Sequence, residues 1–216
     1  MIKTKGLVRT YGKGAGKVTA LGGVDITVRD GEMLAVIGKS GSGKSTLLNL
    51  IGGLDSPTEG QVFYNDKEIG RMSDRQLSDF RLKNIGFVFQ FFDLIPELTA
   101  AENIMLPARL ARNKNAKPDE LYSALEISDR VKHYPSELSG GQQQRAAIAR
   151  ALINSPDVIL CDEPTGNLDK ASGEEVMNLL KRLNKDQGKT IVIVTHDKEI
   201  AGQCNRVIEI SDGIIV

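Results

Sequence analysis

An α/β fold with a mostly parallel sheet, an N-terminal antiparallel β lead-in and an inserted α-helical subdomain is predicted for this 216-residue chain by three features of its sequence. Short apolar runs bounded by turn residues, at 33–37, 157–161 and 190–195, fit strands buried on both faces, as parallel sheets require. A glycine-rich stretch lies between the first of these runs and a segment of helical apolar spacing. From 91 to 152 helical patterns dominate and the strand pattern is interrupted. The expected division is a core of 1–90 and 153–216, with a helical subdomain at 91–152.

In chain order, residues 2–11, 19–28 and 33–37 are strand-like, and Arg29-Asp30-Gly31-Glu32 supplies the turn before the third. Residues 44–51 carry helical spacing. Asp55-Ser56-Pro57-Thr58-Glu59-Gly60 is a loop, 61–64 a short strand and Asn65-Asp66-Lys67 a turn. Residues 73–83 form a polar helix and 85–89 a buried strand ending at Gln90. Residues 98–110 carry a helical apolar face, and Pro118, suited to a first turn, opens another helix through about Leu125. A helix at 142–152, a strand at 157–161, a helix at 173–185 and a strand at 190–195 restore the β-α-β alternation. Strands at 206–210 and 214–216 flank Ser211-Asp212-Gly213 and close the chain as a hairpin.

Composition is that of a globular protein long enough to bury a core. Lys plus Arg and Asp plus Glu each number 28, so no basic excess points to nucleic acid. No apolar run approaches the length that crosses a bilayer, so a membrane role would pass through another polypeptide. Cys161 and Cys204 lack metal-ligand spacing and fit reduced thiols in a cytosolic protein.

Gly38-Lys39-Ser40-Gly41-Ser42-Gly43-Lys44-Ser45, followed by Thr46, matches G-x-x-x-x-G-K-[ST] at every required position. With a strand before it and a helix after it, this is a phosphate-binding P-loop. Backbone N–H groups turn inward around the anion, which rests on a helix N-terminus. In that geometry Lys44 reaches the β- and γ-phosphates and the Ser45 hydroxyl ligates Mg²⁺. An apolar run then delivers Asp162 and Glu163, the Walker B arrangement. Asp162 holds Mg²⁺, while Glu163, pointing elsewhere, serves as general base or orients the attacking water. Leu138-Ser139-Gly140-Gly141-Gln142 is a second glycine-rich helix start and so a second anion site. Phe91, Phe92, Leu94 and Ile95, ahead of Pro96, follow no helical or strand period, which suggests an exposed groove.

The P-loop, the 138–142 stretch and the Walker B pair, in that chain order, together resemble the ATP-binding cassette ATPases, and the resemblance covers essentially the whole chain. The resemblance implies a P-loop NTPase core and Mg²⁺-dependent ATP hydrolysis. It implies that Tyr11 stacks on adenine, that Gln90 contacts Mg²⁺ and the attacking water, that Asp169 lies near a dimer seam, and that His196 contacts the γ-phosphate. It further implies a head-to-tail homodimer closing on ATP, and a permease-like membrane subunit docked near Phe91 to Pro96, which places the chain on the cytoplasmic face of the cell membrane. Gly166-Asn167, where amino-acid importers more often have Ser-Ala, is similar to the branch of lipoprotein-releasing, macrolide-exporting, antimicrobial-peptide-resistance and cell-division ATPases. Leu125-Glu126-Ile127-Ser128 departs from the family by lacking a glycine.

Three other functions compete. An importer ATPase shares the chemistry. A soluble cassette protein acting on DNA or ribosomes carries a long heptad insertion or two cassettes in tandem, and this chain has neither. A nucleotide-binding module without hydrolysis conflicts with the presence of Glu163 and His196.

Overall fold

The structure, a computed structural model, describes the backbone of residues 1–216 and every side chain but that of Ala15. Its elements are β1 (Ile2–Tyr11), β2 (Val18–Val24), β3 (Thr27–Val28), β4 (Met33–Ile37), α1 (Lys44–Ile51), β5 (Glu59–Tyr64), β6 (Lys67–Glu68), α2 (Asp74–Asn84), β7 (Ile85–Val88), α3 (Ala100–Leu110), α4 (Pro118–Ala124), α5 (Gly140–Leu152), β8 (Val158–Asp162), α6 (Lys170–Gln187), β9 (Thr190–Val194), α7 (Lys198–Ala201), β10 (Arg206–Ser211) and β11 (Ile214–Ile215). Two compact units result, one of Met1–Ser78 with Thr190–Val216 and the other of Asp79–Lys189.

In the first unit an antiparallel sheet runs β2-β1-β5-β6, with β3 also on β1. Beside it β4 is flanked by β9 and β10, both parallel to it, and β11 returns antiparallel along β10. Leu34, Ala35 and Val36 are wholly buried, as are Ile191, Val192 and Ile193, which is why these runs are continuously apolar. In the second unit β7 pairs in parallel with β8, and α5 packs on β7, α3 and α6. The mixed α/β fold with separate antiparallel and parallel strands is the one the sequence predicts.

Three local differences have physical causes. The strand expected over 19–28 breaks into β2 and β3 because the Thr4 hydroxyl donates to Val24 O and accepts from the Ile26 N–H, while the Asp25 carboxylate takes the Gly6 N–H. The helix expected from 142 begins at Gly140, directly after the N-cap Ser139, in a capping box in which Ser139 and Gln142 each accept the other's backbone N–H. Helix α7, which carries no periodic signal, is nucleated by the Asp197 carboxylate accepting from Glu199 and Ile200 N–H groups.

The missing glycine leaves a trace. Glu126 adopts the left-handed conformation at φ 53, ending α4 where a glycine carries no steric penalty. Its carboxylate pairs with Arg145 at 3.0 Å, but the Glu126 side chain is 72% exposed and such a pair contributes little. Relief of a left-handed residue is worth about 1 kcal/mol. Stability in urea is therefore expected to rank Glu126→Gly above the parent and Glu126→Ala below it, since alanine keeps the strain and loses the pair. A glycine variant less stable than the alanine variant would refute the strain argument.

Candidate functional site

The loop after β4 is shaped by three glycines at positive φ, Gly38 at 152, Gly41 at 77 and Gly43 at 108. At two of them space as well as conformation demands glycine. A Cβ on Gly38 would lie 2.2 Å from Ile210 O, and one on Gly43 would lie 2.3 Å from Ala20 O. Gly43 is the N-cap of α1 and supplies no side chain to the helix's first N–H groups. Lys44 is buried, and its Nζ donates to Gly38 O and Lys39 O, each at 2.9 Å. The ammonium thus lies folded into the loop. Ser42 is buried as well, and its Oγ has no hydrogen-bond partner. An unsatisfied buried hydroxyl beside a buried ammonium, at an uncapped helix start, fits a bound polyanion. Ser40, Gly41 and Ser45 are exposed along the same loop and first turn, and Thr46 is half-buried.

Parallel pairing of β4 with β9 fixes the position of His196. The register sets Val36 beside Val194, and the Thr195 N–H donates to Val36 O at 3.1 Å. Both chains therefore leave the sheet at its carboxyl edge, where ligands of open α/β sheets bind. His196 is exposed there. Tyr11, at the end of β1, is 40% exposed. Its ring carries the Arg9 guanidinium 4.6 Å from its centroid, and its hydroxyl donates to Asp55 at 2.8 Å.

The second unit gathers the remaining residues. Val88 pairs with Cys161, so Gln90 and the pair Asp162 and Glu163 emerge at the same end of β7 and β8. Asn167 joins two of the predicted segments, since its Nδ2 donates to Gln90 O at 2.8 Å and its Oδ1 accepts from Gln90 Nε2 at 3.5 Å. A Cβ on Gly166 would approach Gln90 Nε2 to 3.0 Å, so the glycine makes room for this bridge. Glu163 stands in the left-handed region at φ 47, a strain that clusters at functional sites. Gln144, wholly buried on α5, donates to the carbonyl of Pro164, which follows Glu163, while its own Oε1 has no partner. Gly140 and Gly141 face this turn too: a Cβ on the first would lie 3.5 Å from Leu168 Cδ2, and one on the second 3.1 Å from Ser172 Oγ. Asp169 caps α6, and the Ser172 hydroxyl and N–H hold its carboxyl below the usual range.

The segment after Gln90 is irregular but not loose. Phe92 and Asp93 are consecutive left-handed residues at φ 63 and 48. Arg150 of α5 donates to both their carbonyls, at 2.8 Å to Phe92 O, and Asn103, wholly buried, brackets Ile95 by accepting its N–H at 2.7 Å and donating to its carbonyl at 3.0 Å. Phe91 remains 73% exposed and Ile95 38%. Phe92 and Leu94 are half-buried.

Sequence reasoning missed Arg9, Asp55, Asn103, Gln144 and Arg150. The only local signal among them is Arg9, which lies two residues before Tyr11 and so on the same strand face. Both cysteines are thiols, and Cys161 is buried in β8. No helix is long and apolar enough to cross a membrane among the described residues.

Comparison with known proteins agrees with the geometry. A family model described as ABC transporter matches residues 21–166. The lipoprotein-releasing system ATP-binding protein LolD of Syntrophotalea carbinolica is 46% identical over 219 residues, covering 100% of this chain and 96% of that protein. The macrolide export ATP-binding/permease protein MacB of a Shewanella species is 46% identical over the whole of this chain, which spans 34% of it. Among solved structures, a dimeric post-hydrolysis state of the ATP-binding cassette MJ0796 bound to ADP and Pi superposes with a TM-score of 0.92 at 44% identity, covering 100% of this chain and 96% of that one. MJ0796 is a protein of Methanocaldococcus jannaschii.

Proposed function

The chain belongs to the ABC transporter family, and from that membership we propose that it is the ATP-hydrolysing subunit of a complex in which two copies close on ATP and drive a separate membrane subunit. The observation that carries this reading is the cradle after β4, where the Ser42 hydroxyl is buried without a partner and Lys44 lies inside the loop. The dimeric relative bound to ADP and Pi supports nucleotide chemistry and pairing of copies. The names of the relatives support export or lipoprotein handling as the work done.

Each residue then has a role. Gly38 to Thr46 wrap the β- and γ-phosphates, with Lys44 neutralising their charge. The Ser45 hydroxyl, the Asp162 carboxylate and the Gln90 amide oxygen are hard donors that suit Mg²⁺, an ion that binds through few protein ligands and the phosphates themselves. When bound, Mg²⁺ neutralises charge developing on the phosphate oxygens. Glu163 orients or deprotonates the water, Gln90 and His196 read the γ-phosphate, and Tyr11 stacks on adenine. Ser139, Gly140, Gly141 and Gln142 of one copy cover the triphosphate held by the other, with Asp169 beside the seam. Residues 91–152 act as the helical subdomain.

MacB is by name an ATP-binding and permease protein of which this chain matches about a third, which supports a permease as the partner. We place its contact at Phe91 and Ile95, the exposed apolar side chains after Gln90, and the chain on the inner face of the cell membrane through that contact. The test is co-purification with a membrane subunit encoded beside the gene, with phosphate release measured alone and in complex. Phe91→Ser with Ile95→Ser is expected to leave the chain folded and hydrolysing, and to weaken partner binding by roughly tenfold or more, as loss of apolar anchors does. Unchanged binding would remove the docking surface. Absence of Mg²⁺-dependent phosphate release by the parent chain would remove the enzymatic reading.

A further inference from the structure

The end of β1 holds Tyr11 in a cluster with Arg9 and Asp55, two residues that the chemistry above does not use. Arg9 and Tyr11 project from the same face of the strand, and the guanidinium lies over one face of the phenol ring at 4.6 Å. Asp55 ties both together, accepting from Arg9 Nη2 at 2.7 Å and from the Tyr11 hydroxyl at 2.8 Å. Its third tie is to its own loop, where Oδ1 takes the Ser56 N–H at 2.7 Å. Arg9 Nε is buried with no partner, so the guanidinium is not placed there to satisfy all its donors. Stacking on the ring is what this position achieves.

Only one ring face is left for a ligand, and it is fixed in direction. The hydroxyl tether to Asp55 stops the ring from swinging about χ1, and Arg9, lying on one face, opposes rotation about χ2 and closes that face. Asp55 is reached from α1, the helix that begins at the phosphate cradle, and the Leu54 and Asp55 N–H groups both donate to Asn49 O in that helix. A single rigid element therefore runs from the phosphate end of the unit to the residue that aims the ring. We propose that Arg9 and Asp55 are positioning residues for a purine base stacked on the exposed face of Tyr11, with Arg9 backing the ring and Asp55 setting its angle. The inference rests on the reading of Tyr11 as the adenine-stacking residue. A cation on one face draws π-density from the ring and strengthens its stacking with an electron-rich base on the other.

The test uses the parent chain and calorimetric affinities for ADP and for inorganic pyrophosphate, which carry the same phosphates with and without the base. Tyr11→Ala is expected to lower ADP affinity about tenfold, in line with alanine losses at base-stacking aromatics, and to leave pyrophosphate unchanged. Arg9→Met, which keeps the volume and removes the charge, is expected to lower ADP affinity about threefold to fivefold with pyrophosphate again unchanged, and Arg9→Lys to recover part of the loss. Equal loss for both ligands in Arg9→Met would mean that Arg9 merely holds up the fold, and no loss for ADP would mean that it does nothing for the base; either overturns the proposal while leaving Tyr11 in place. If Tyr11→Ala leaves ADP affinity intact, the stacking reading fails and the proposal falls with it.

Discussion

Glu163→Gln is expected to bind ATP with Mg²⁺ and to hydrolyse it more slowly by a factor on the order of 10² or more, the scale of a lost general base. The structure sharpens why this substitution is the right one. Glu163 stands at φ 47 with Pro164 behind it, whose carbonyl is taken by the buried Gln144 amide. Glutamine has the same shape and the same backbone preferences, so it keeps this strained turn while removing the basic oxygen. Loss of hydrolysis with retained binding would then be chemical and not conformational. Phosphate release under single-turnover conditions, with nucleotide occupancy measured in parallel, separates the two. Near-normal turnover would remove Glu163 from the mechanism.

A crosslinked pair joining one Lys44→Ala chain to one Ser139→Arg chain is expected to regain part of its ATP-dependent closure, whereas pairs carrying either lesion in both chains stay open. Mg·ATP leaves negative charge on the γ-phosphate away from Lys44, and a buried anion needs donors on that side. Ser139 to Gly141 supply them from a helix start whose glycines already lie against Leu168 and Ser172 of their own chain. If each triphosphate is held between copies, the mixed pair has one site with both lesions and one with none. If each copy closes its own site, both sites are damaged and nothing returns. Trapped nucleotide and compactness are the measurements, because they report closure whether or not one intact site suffices for turnover. No closure in verified mixed pairs would defeat the two-copy site.

Most segments of the candidate site were legible because a backbone cradle cannot be built from scattered residues. Gly38, Gly43, Lys44 and Ser45 must be adjacent in sequence to be adjacent in space, and the same holds for Asp162 with Glu163 and for Ser139 with Gly140 and Gly141. Strands β4, β8 and β9 were legible because burial on both faces leaves no polar position to confuse the pattern. What escaped are contacts between segments. Nothing in the neighbourhood of Asp55 says that it meets Arg9 and Tyr11, and nothing near Arg150 says that its guanidinium holds the carbonyls of Phe92 and Asp93. The break between β2 and β3 escaped for the same reason, since its cause is the hydroxyl of Thr4 on another strand.

The cradle's wall has an implication for how the protein is made. Gly38 abuts the carbonyl of Ile210, and the Gly213 N–H donates to Ser42 O at 3.0 Å, so the far side of the phosphate loop is the last hairpin of the described chain. The loop is translated first, and the residues that wall it follow only after β8, α6 and β9 have been made. At roughly 5–20 residues per second of synthesis the interval is on the order of ten seconds or longer. During that time β4 has neither β9 nor β10 beside it, and the glycines have nothing to turn against. Until β9 and β10 have emerged, a nascent chain therefore carries the phosphate motif without the phosphate site, and cannot close on nucleotide with a neighbour emerging from the same message. Pairing is reserved for chains that already hold these strands, by the order in which they are delivered.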